Sequence, residues 1–361
     1  MKNQSRTIVL AAAQTGGHLL PAVETARVIR EMGFATVMVT SGQAIEKEIL
    51  KNSGMEVRTL HVQKINRMGV SGLVKGALSI PGALLASATM LREIRPAAVA
   101  GFGGFTSGPL VLAAQMMLIP TAVFEANSVP GITNRILARS ARRVFVTFPS
   151  AGSRMGRKDF EVTGNPVRRE ILVHQRPEPA GPASRILVVG GSQGSRFLNQ
   201  NVPKVAALLK DRIDGLVLRH QCGIGNSNAV AAEYRAAGVE AQATDYIHDM
   251  AEAMSWADFI ICRSGAGTVG EVTAVGIPAL FVPFALASDD HQAHNAMDLV
   301  RAGASLMKRE SEFDPASVAA ELAVIMRDPE RLRAMSSAAL AAGRRDAAQR
   351  IARGIVSMVK A

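Results

Sequence analysis

Short apolar runs alternate with stretches of helical spacing along most of the chain. Thr7 to Ala13 is mostly apolar, Gln14, Thr15, Gly16 and Gly17 break the run, and apolar residues then recur at Leu19, Val23, Ala26 and Ile29, as on one face of a helix. Gly33 can end that helix, and Ala35 to Thr40 reads as the next strand, which completes a βαβ unit. Further strands are predicted at Ala97 to Ala100, Thr121 to Glu125, Val144 to Phe148 and Glu161 to Thr163. Pro177 to Pro182 is proline-rich and unpatterned, and reads as part of a linker. Beyond it Arg185 to Ser195 repeats the plan of Arg6 to Gly17, and strands follow at Leu216 to His220, Phe259 to Cys262 and Ala279 to Val282. This alternation on both sides of a linker predicts an α/β fold of two Rossmann-like domains facing a cleft, residues 1–164 and 165–340. Asp314 to Ala361 reads as largely helical, and 341–361 as a C-terminal helix packing back on the first domain.

Four glycine turns carry the candidate chemistry: Thr15 to Gly17, Gly101 to Gly104, Gly190 to Gly194 and Ser264 to Thr268. Each lies between a strand and a helix, where backbone N–H groups and the positive helix end make an anion site and glycine lets a phosphate approach. Two common nucleotide classes do not fit them. A nicotinamide dinucleotide enzyme would carry an acidic residue after the second strand, which here ends Thr40, Ser41, Gly42, and a P-loop needs Gly-Lys-Ser/Thr where Gly194 is followed by Ser195 and Arg196. Glu271, early in the helix after the fourth turn, could accept both hydroxyls of a ribose; a helix-start carboxylate favoured by the dipole is the alternative. His18, just after the first turn, is the candidate general base, or else a hydrogen-bonding residue of that loop, and Glu125 could orient or assist it.

Composition narrows the partner. The chain has 361 residues, 41 Lys and Arg against 30 Asp and Glu, and a formal net charge of +11, which favours an anionic ligand or surface. Aromatics are only 4%, and the basic residues lack aromatic interleaving, so nucleic acid is not expected. Cys222 and Cys262 are too few for a disulfide framework or a zinc site, and the cytoplasm fits best. No window approaches the roughly 20 apolar residues of a membrane span. Met68 to Leu85, apolar but broken by glycine and proline, together with Lys64, Arg67, Lys75, Arg139, Arg142 and Arg143, could lie on a membrane of acidic lipids. Met90, Met116 and Met117 read as core filler. His291 and His294 lack a third ligand, so no metal site is expected, and no Asp-x-Asp motif is present.

The motifs as a set resemble a known family over nearly the whole chain, the peptidoglycan N-acetylglucosaminyltransferase family MurG. The resemblance rests on Thr15 to His18 with Pro21, Gly103 to Pro109, Glu125 and Asn127 with Gly131 to Asn134, and Gly164 to Arg168. It continues in Gly190 to Gly194, Cys262 to Gly265, Thr268 with Glu271, and Pro278 to Phe284. It implies a GT-B glycosyltransferase fold without a cofactor. The second domain would bind UDP-N-acetylglucosamine and the first would receive an undecaprenyl-diphosphate-linked N-acetylmuramoyl-pentapeptide, with inversion and a β-1,4 linkage. By the same resemblance Ile247 would meet uracil, Glu271 the ribose, and Ser192 with Ala266, Gly267 and Thr268 the diphosphate; Val269 and Gly270 continue that turn. Thr15, Gly16, Gly17, Asn127, Arg168, His291 and Gln292 would surround the sugar and phosphates. The family also implies the cytoplasmic face of the inner membrane and contact with other cell-wall synthesis proteins. The sequence departs from the family at Ala13 and Gln14, at Phe124 and Ala126 on either side of Glu125, at His291, and at His248.

Overall fold

The computed structural model describes residues 6–13, 16–51, 53–62, 69–174, 176, 181–191 and 193–359, with backbone alone for 69–79. These form two compact units, one of residues up to Val167 plus Arg345 onward, the other Arg168–Arg344.

The first unit contains strands β1 (Thr7–Ala11), β2 (Ala35–Thr40), β3 (Glu56–Thr59), β4 (Ala98–Gly101), β5 (Thr121–Glu125), β6 (Arg143–Val146) and β7 (Glu161–Val162). Between them run α1 (Gly16–Glu31), α2 (Ala44–Leu50), α3 (Gly69–Ile94), α4 (Ser107–Met116), α5 (Ile132–Ala138) and α6 (Pro149–Arg154). The sheet is parallel, in the order β3-β2-β1-β4-β5-β6-β7. Its central strands are buried on both faces: Ile8, Val9, Leu10 and Ala11 have no exposed surface, as expected of a strand covered by helices on either side.

The second unit opens with α7 (Arg169–Val173) and contains β8 (Arg185–Val189), α8 (Arg196–Leu209), β9 (Val217–Gln221), α9 (Ser227–Ala236), β10 (Glu240–Thr244), α10 (Met250–Trp256) and β11 (Phe259–Cys262). After these come α11 (Ala266–Val275), β12 (Ala279–Phe281), α12 (His291–Arg301), β13 (Ser305–Met307), α13 (Pro315–Met326) and α14 (Pro329–Ala342). This sheet is also parallel, in the order β10-β9-β8-β11-β12-β13.

The last helix, α15 (Ala347–Val356), belongs to the first unit and packs against α1. Ala347, Ala348, Ile351, Ala352 and Ile355 make its buried stripe at the period of one helix face. Gly354 has to be small there, because a Cβ would come within 2.4 Å of the Phe145 ring. Of the predicted linker, 177–180 lies outside the described residues. Just before it, Arg176 donates to the carbonyls of Ala257, Asp258 and Gly276, and burial pushes its pKa down to about 10.

The sequence pattern misses three strands, β3, β10 and β13, and all three are sheet edges. β3 is exposed along its length and β10 is at most half-buried, so neither carries the apolar run that marks an interior strand. Met116, expected in the core, is 71% exposed at the end of α4.

Candidate active site

Strand order reverses beside β1 in the first sheet and beside β8 in the second, so β1/β4 and β8/β11 are the topological switch points, where open α/β sheets bind ligands beyond their carboxyl ends. The four glycine turns follow β1, β4, β8 and β11. They therefore fall in two pairs, one pair at each switch point. The sequence already puts two turns in each half; that each two meet at a switch point follows from the strand order.

Within the pairs the glycines do different work. Gly194 and Gly223 press backbone on backbone: a Cβ on Gly194 would come to 2.1 Å from the Cys222 carbonyl oxygen, and one on Gly223 to 2.2 Å from that of Gln193. Gly191, Gly265 and Gly267 instead face open space. Gly265 is the N-cap of α11, so its neighbourhood offers helix N–H groups to an anion without side-chain obstruction. Ala266, Gly267 and Thr268 form the first turn of that helix. The Val269 side chain is buried and its N–H donates to the Gly265 carbonyl. The Gly270 carbonyl accepts from the Thr273 hydroxyl. Thr15 and Ser192 lie outside the described residues.

Arg168 and Glu271 meet in the second unit. The Arg168 Nε and Nη2 both lie 2.9 Å from Glu271 Oε1, with the two side chains 26% and 15% exposed. Burial pushes the Glu271 carboxyl up, and the charge and hydrogen bond of Arg168 pull against that. Tyr246 is close enough to Arg168 to act on it electrostatically. Ile247 stands next to it in the loop from β10 to α10, between Tyr246 and His248, whose rings meet edge to face at 5.2 Å. That loop lines a cavity of about 200 Å³ with Arg219, Gln242 and Glu252.

The loop from β12 to α12 is the other constructed feature of this unit. Arg263, buried at the end of β11, donates to the carbonyls of Val282 and Pro283 and pairs with Glu310 at 2.6 Å. Gln292 Oε1 accepts from the Phe284 N–H at 3.0 Å. A backbone N–H can only donate, so this bond places the Gln292 amide nitrogen on the other side. His291 Nδ1 lies 2.7 Å from the Ser288 carbonyl, so Nδ1 carries the proton and a neutral ring keeps Nε2 as an acceptor. Sequence reasoning had no signal for Arg309, whose two terminal nitrogens hold the Asp290 carboxylate at 3.1 and 2.6 Å just before His291.

In the first unit, Gly16, Gly17 and His18 open α1. The half-buried His18 ring lies against Gly103, where a Cβ would come to 2.7 Å from Nδ1. Gly103 and Gly104 both have left-handed backbone, φ +100° and +83°, and a Cβ on Gly104 would come to 2.6 Å from the Ala13 carbonyl oxygen.

Glu125 is tied to its own loop. It is 2% exposed at the end of β5 and its carboxylate accepts from the Asn127 N–H at 2.9 Å, the Gly131 N–H at 3.2 Å and Asn134 Nδ2 at 2.8 Å; the Asn127 side chain also bonds it. Burial raises its pKa against these bonds. Its oxygens are hydrogen-bonded to the loop after β5 and to Asn134 of α5, so Glu125 braces that loop. Glu125→Ala would leave several buried donors unpaired and is expected to lower unfolding stability by about 2–4 kcal/mol in denaturant titration. Phe124 and Ala126, the departures beside it, are buried, and Phe124 packs on Phe102 at 5.3 Å between ring centroids. They fill the core and present no side chain to a ligand.

Comparison with known proteins agrees with this architecture. The glycosyltransferase family 28 N-terminal domain matches residues 8–146, and the family 28 C-terminal domain matches residues 185–351. A curated relative from Anaeromyxobacter sp. (strain Fw109-5), a UDP-N-acetylglucosamine--N-acetylmuramyl-(pentapeptide) pyrophosphoryl-undecaprenol N-acetylglucosamine transferase, is 38% identical over 357 residues, 98% of this chain and 93% of its own length. The crystal structure of Acinetobacter baumannii MurG superposes with a TM-score of 0.82 at 30% identity, covering 97% of this chain and 99% of that one. A putative UDP-N-acetylglucosamine 2-epimerase from Listeria monocytogenes, 15% identical with a TM-score of 0.68 over 98% of this chain and 96% of its own, shares the fold alone. With both family 28 domains in order along one chain and identity sustained over its full length, the chain belongs to the MurG family of GT-B glycosyltransferases.

Proposed function

We propose that this chain transfers N-acetylglucosamine from UDP-N-acetylglucosamine to undecaprenyl-diphosphate-linked N-acetylmuramoyl-pentapeptide, with inversion at the anomeric carbon. The observation that carries the donor half is the Arg168–Glu271 pair in the same unit as the open glycine turn at the head of α11. Glu271 takes the ribose hydroxyls, and Ala266 to Thr268 with Gly191 cradle the diphosphate. Arg168 neutralises part of its charge, and the Ile247 backbone meets uracil. Gln292 and His291 read the sugar. The residues of the first unit, His18, Gly16, Gly17 and Asn127, serve the acceptor.

In the transfer step the acceptor C4 hydroxyl oxygen bonds the anomeric carbon as the bond from that carbon to the diphosphate oxygen breaks. The hydroxyl proton goes to His18 and the electron pair leaves with UDP. The Nδ1 edge of the His18 ring lies against Gly103, which limits how the ring can turn as it takes this proton. The departing diphosphate gains negative charge, which helix N-terminal N–H groups and Arg168 stabilise.

The acceptor is a lipid, and membrane contact on the cytoplasmic face fits the first unit. Leu85, Met116, Leu118, Ile132 and Ile136 are more than half exposed there, with Arg135 on the same helix as the last two and Arg139 at its C-cap. Among the described residues no helix is long and apolar enough to cross a membrane. The stretch 63–68 lies outside the described residues, and of 69–79 only the backbone is described, so the expectations for Lys64, Arg67 and Lys75 fall outside what is described. Acidic lipids attract such a cation-flanked apolar surface.

Purified lipid acceptor with UDP-N-acetylglucosamine should yield the disaccharide-bearing lipid, with UDP release strictly dependent on the acceptor. Acceptor-independent release of UDP would overturn this reading and favour an epimerase-like or hydrolytic activity.

A further inference from the structure

The turn ahead of α12 has an unusual backbone. Asp289 and Asp290 are consecutive non-glycine residues in left-handed conformation, φ +53° and +52°. Aspartate tolerates this conformation better than most residues, but two in succession persist only where the surroundings hold them. The holding group is visible. Arg309, which follows β13 by one residue beyond Lys308, grips the Asp290 carboxylate with both terminal nitrogens, a planar fork on a planar acceptor. Lys308 donates its N–H to the Phe281 carbonyl, so the backbone leading into Arg309 is itself tied to β12. Asp290 is the N-cap position of α12, and the next two residues are His291 and Gln292.

We propose that Arg309 is a positioning residue for recognition of the donor sugar, an inference that rests on the reading of His291 and Gln292 given above. Its grip on Asp290 fixes the direction in which α12 starts. That direction aims the Gln292 amide nitrogen as a donor and His291 Nε2 as an acceptor toward the sugar hydroxyls. Arg263 holds the start of the same loop through the Val282 and Pro283 carbonyls, so loop 282–292 is anchored at both ends and the Arg309 anchor lies next to the sugar-reading side chains. Glycosyltransferase specificity at this position would then depend on an arginine that never touches substrate. Nothing in this role involves the Arg168–Glu271 pair, so nucleotide binding and sugar reading are separable.

The test compares affinities for UDP and for UDP-N-acetylglucosamine by calorimetry, using the full chain without acceptor. Arg309→Gln and Asp290→Gly should each weaken UDP-N-acetylglucosamine by about tenfold while leaving UDP within about twofold. The glycine in the second variant accepts the left-handed backbone, so its loss reports the missing clamp and not strain. Arg309→Lys should recover part of the affinity, and the double variant should be no worse than Arg309→Gln, because the two residues act as one unit. Equal losses for both ligands, unchanged affinity for both, or additive losses would overturn the proposal. If the variants show this pattern while the wild-type chain transfers nothing to the lipid acceptor, the proposed reaction is overturned and the clamp stands.

Discussion

His18→Ala is expected to slow transfer by about 10²- to 10⁴-fold while UDP affinity stays within about twofold, the span that general-base catalysis contributes when a positioned proton acceptor is removed. The expectation rests on where the ring is held. His18 is the third residue of α1, at the carboxyl end of a central strand, with its Nδ1 edge on the left-handed Gly103. That contact supplies a second handle. A methyl group on Gly103 would come to 2.7 Å from Nδ1 and 2.9 Å from Cε1, so Gly103→Ala must turn the ring or move the turn. It is expected to lower turnover by at least about tenfold with the imidazole still present. Single-turnover rates with purified lipid acceptor, set beside UDP titration, check both variants. Normal turnover in His18→Ala would reject the base role and leave His18 as a loop residue.

For Glu271→Ala the loss should appear in donor binding. Glu271 is 15% exposed and its partner Arg168 26%, so truncation removes the ribose acceptor and also leaves a largely buried guanidinium without its carboxylate. UDP affinity is expected to fall about ten- to hundredfold, equivalent to about 1.4–2.7 kcal/mol. A purely structural carboxylate could give the same loss, so the deciding measurement uses 2′-deoxy-UDP. The wild-type chain should bind it more weakly than UDP by about tenfold, because one hydroxyl partner of Glu271 is gone. Glu271→Ala should bind the two nucleotides alike. If the variant still discriminates between them, Glu271 does not read the ribose and serves only to pair with Arg168.

The glycine turns, the histidine after the first and the carboxylate after the fourth were all legible because each is a local device. A strand, a break and a helix lie within about a dozen residues, and the chemistry of a helix N-terminus needs nothing from farther away. Edge strands were illegible for the opposite reason. Glu56–Thr59 and Glu240–Thr244 bury little side-chain surface, and the preceding strand, one helix earlier, holds them by backbone bonds that any sequence can make. Glu125 shows a further limit. Its residue type suits a group that orients or assists the base, but the donors of Asn127, Gly131 and Asn134 close around it only after the loop folds back.

By itself, then, the sequence determined two parallel α/β sheets, four phosphate-type turns, a surplus of positive charge and membership of the MurG family, all written in short-range periodicity, composition and motif order. Tertiary structure alone decided that the turns pair at the two switch points, and that Phe124 and Ala126 are core while Met116 is surface. It also decided that Arg168 faces Glu271 and Arg309 faces Asp290, across 103 and 19 residues of chain. Contacts of that kind depend on which strands become neighbours and which side chains the packing leaves within about 3 Å of each other, and no local pattern of residues encodes either.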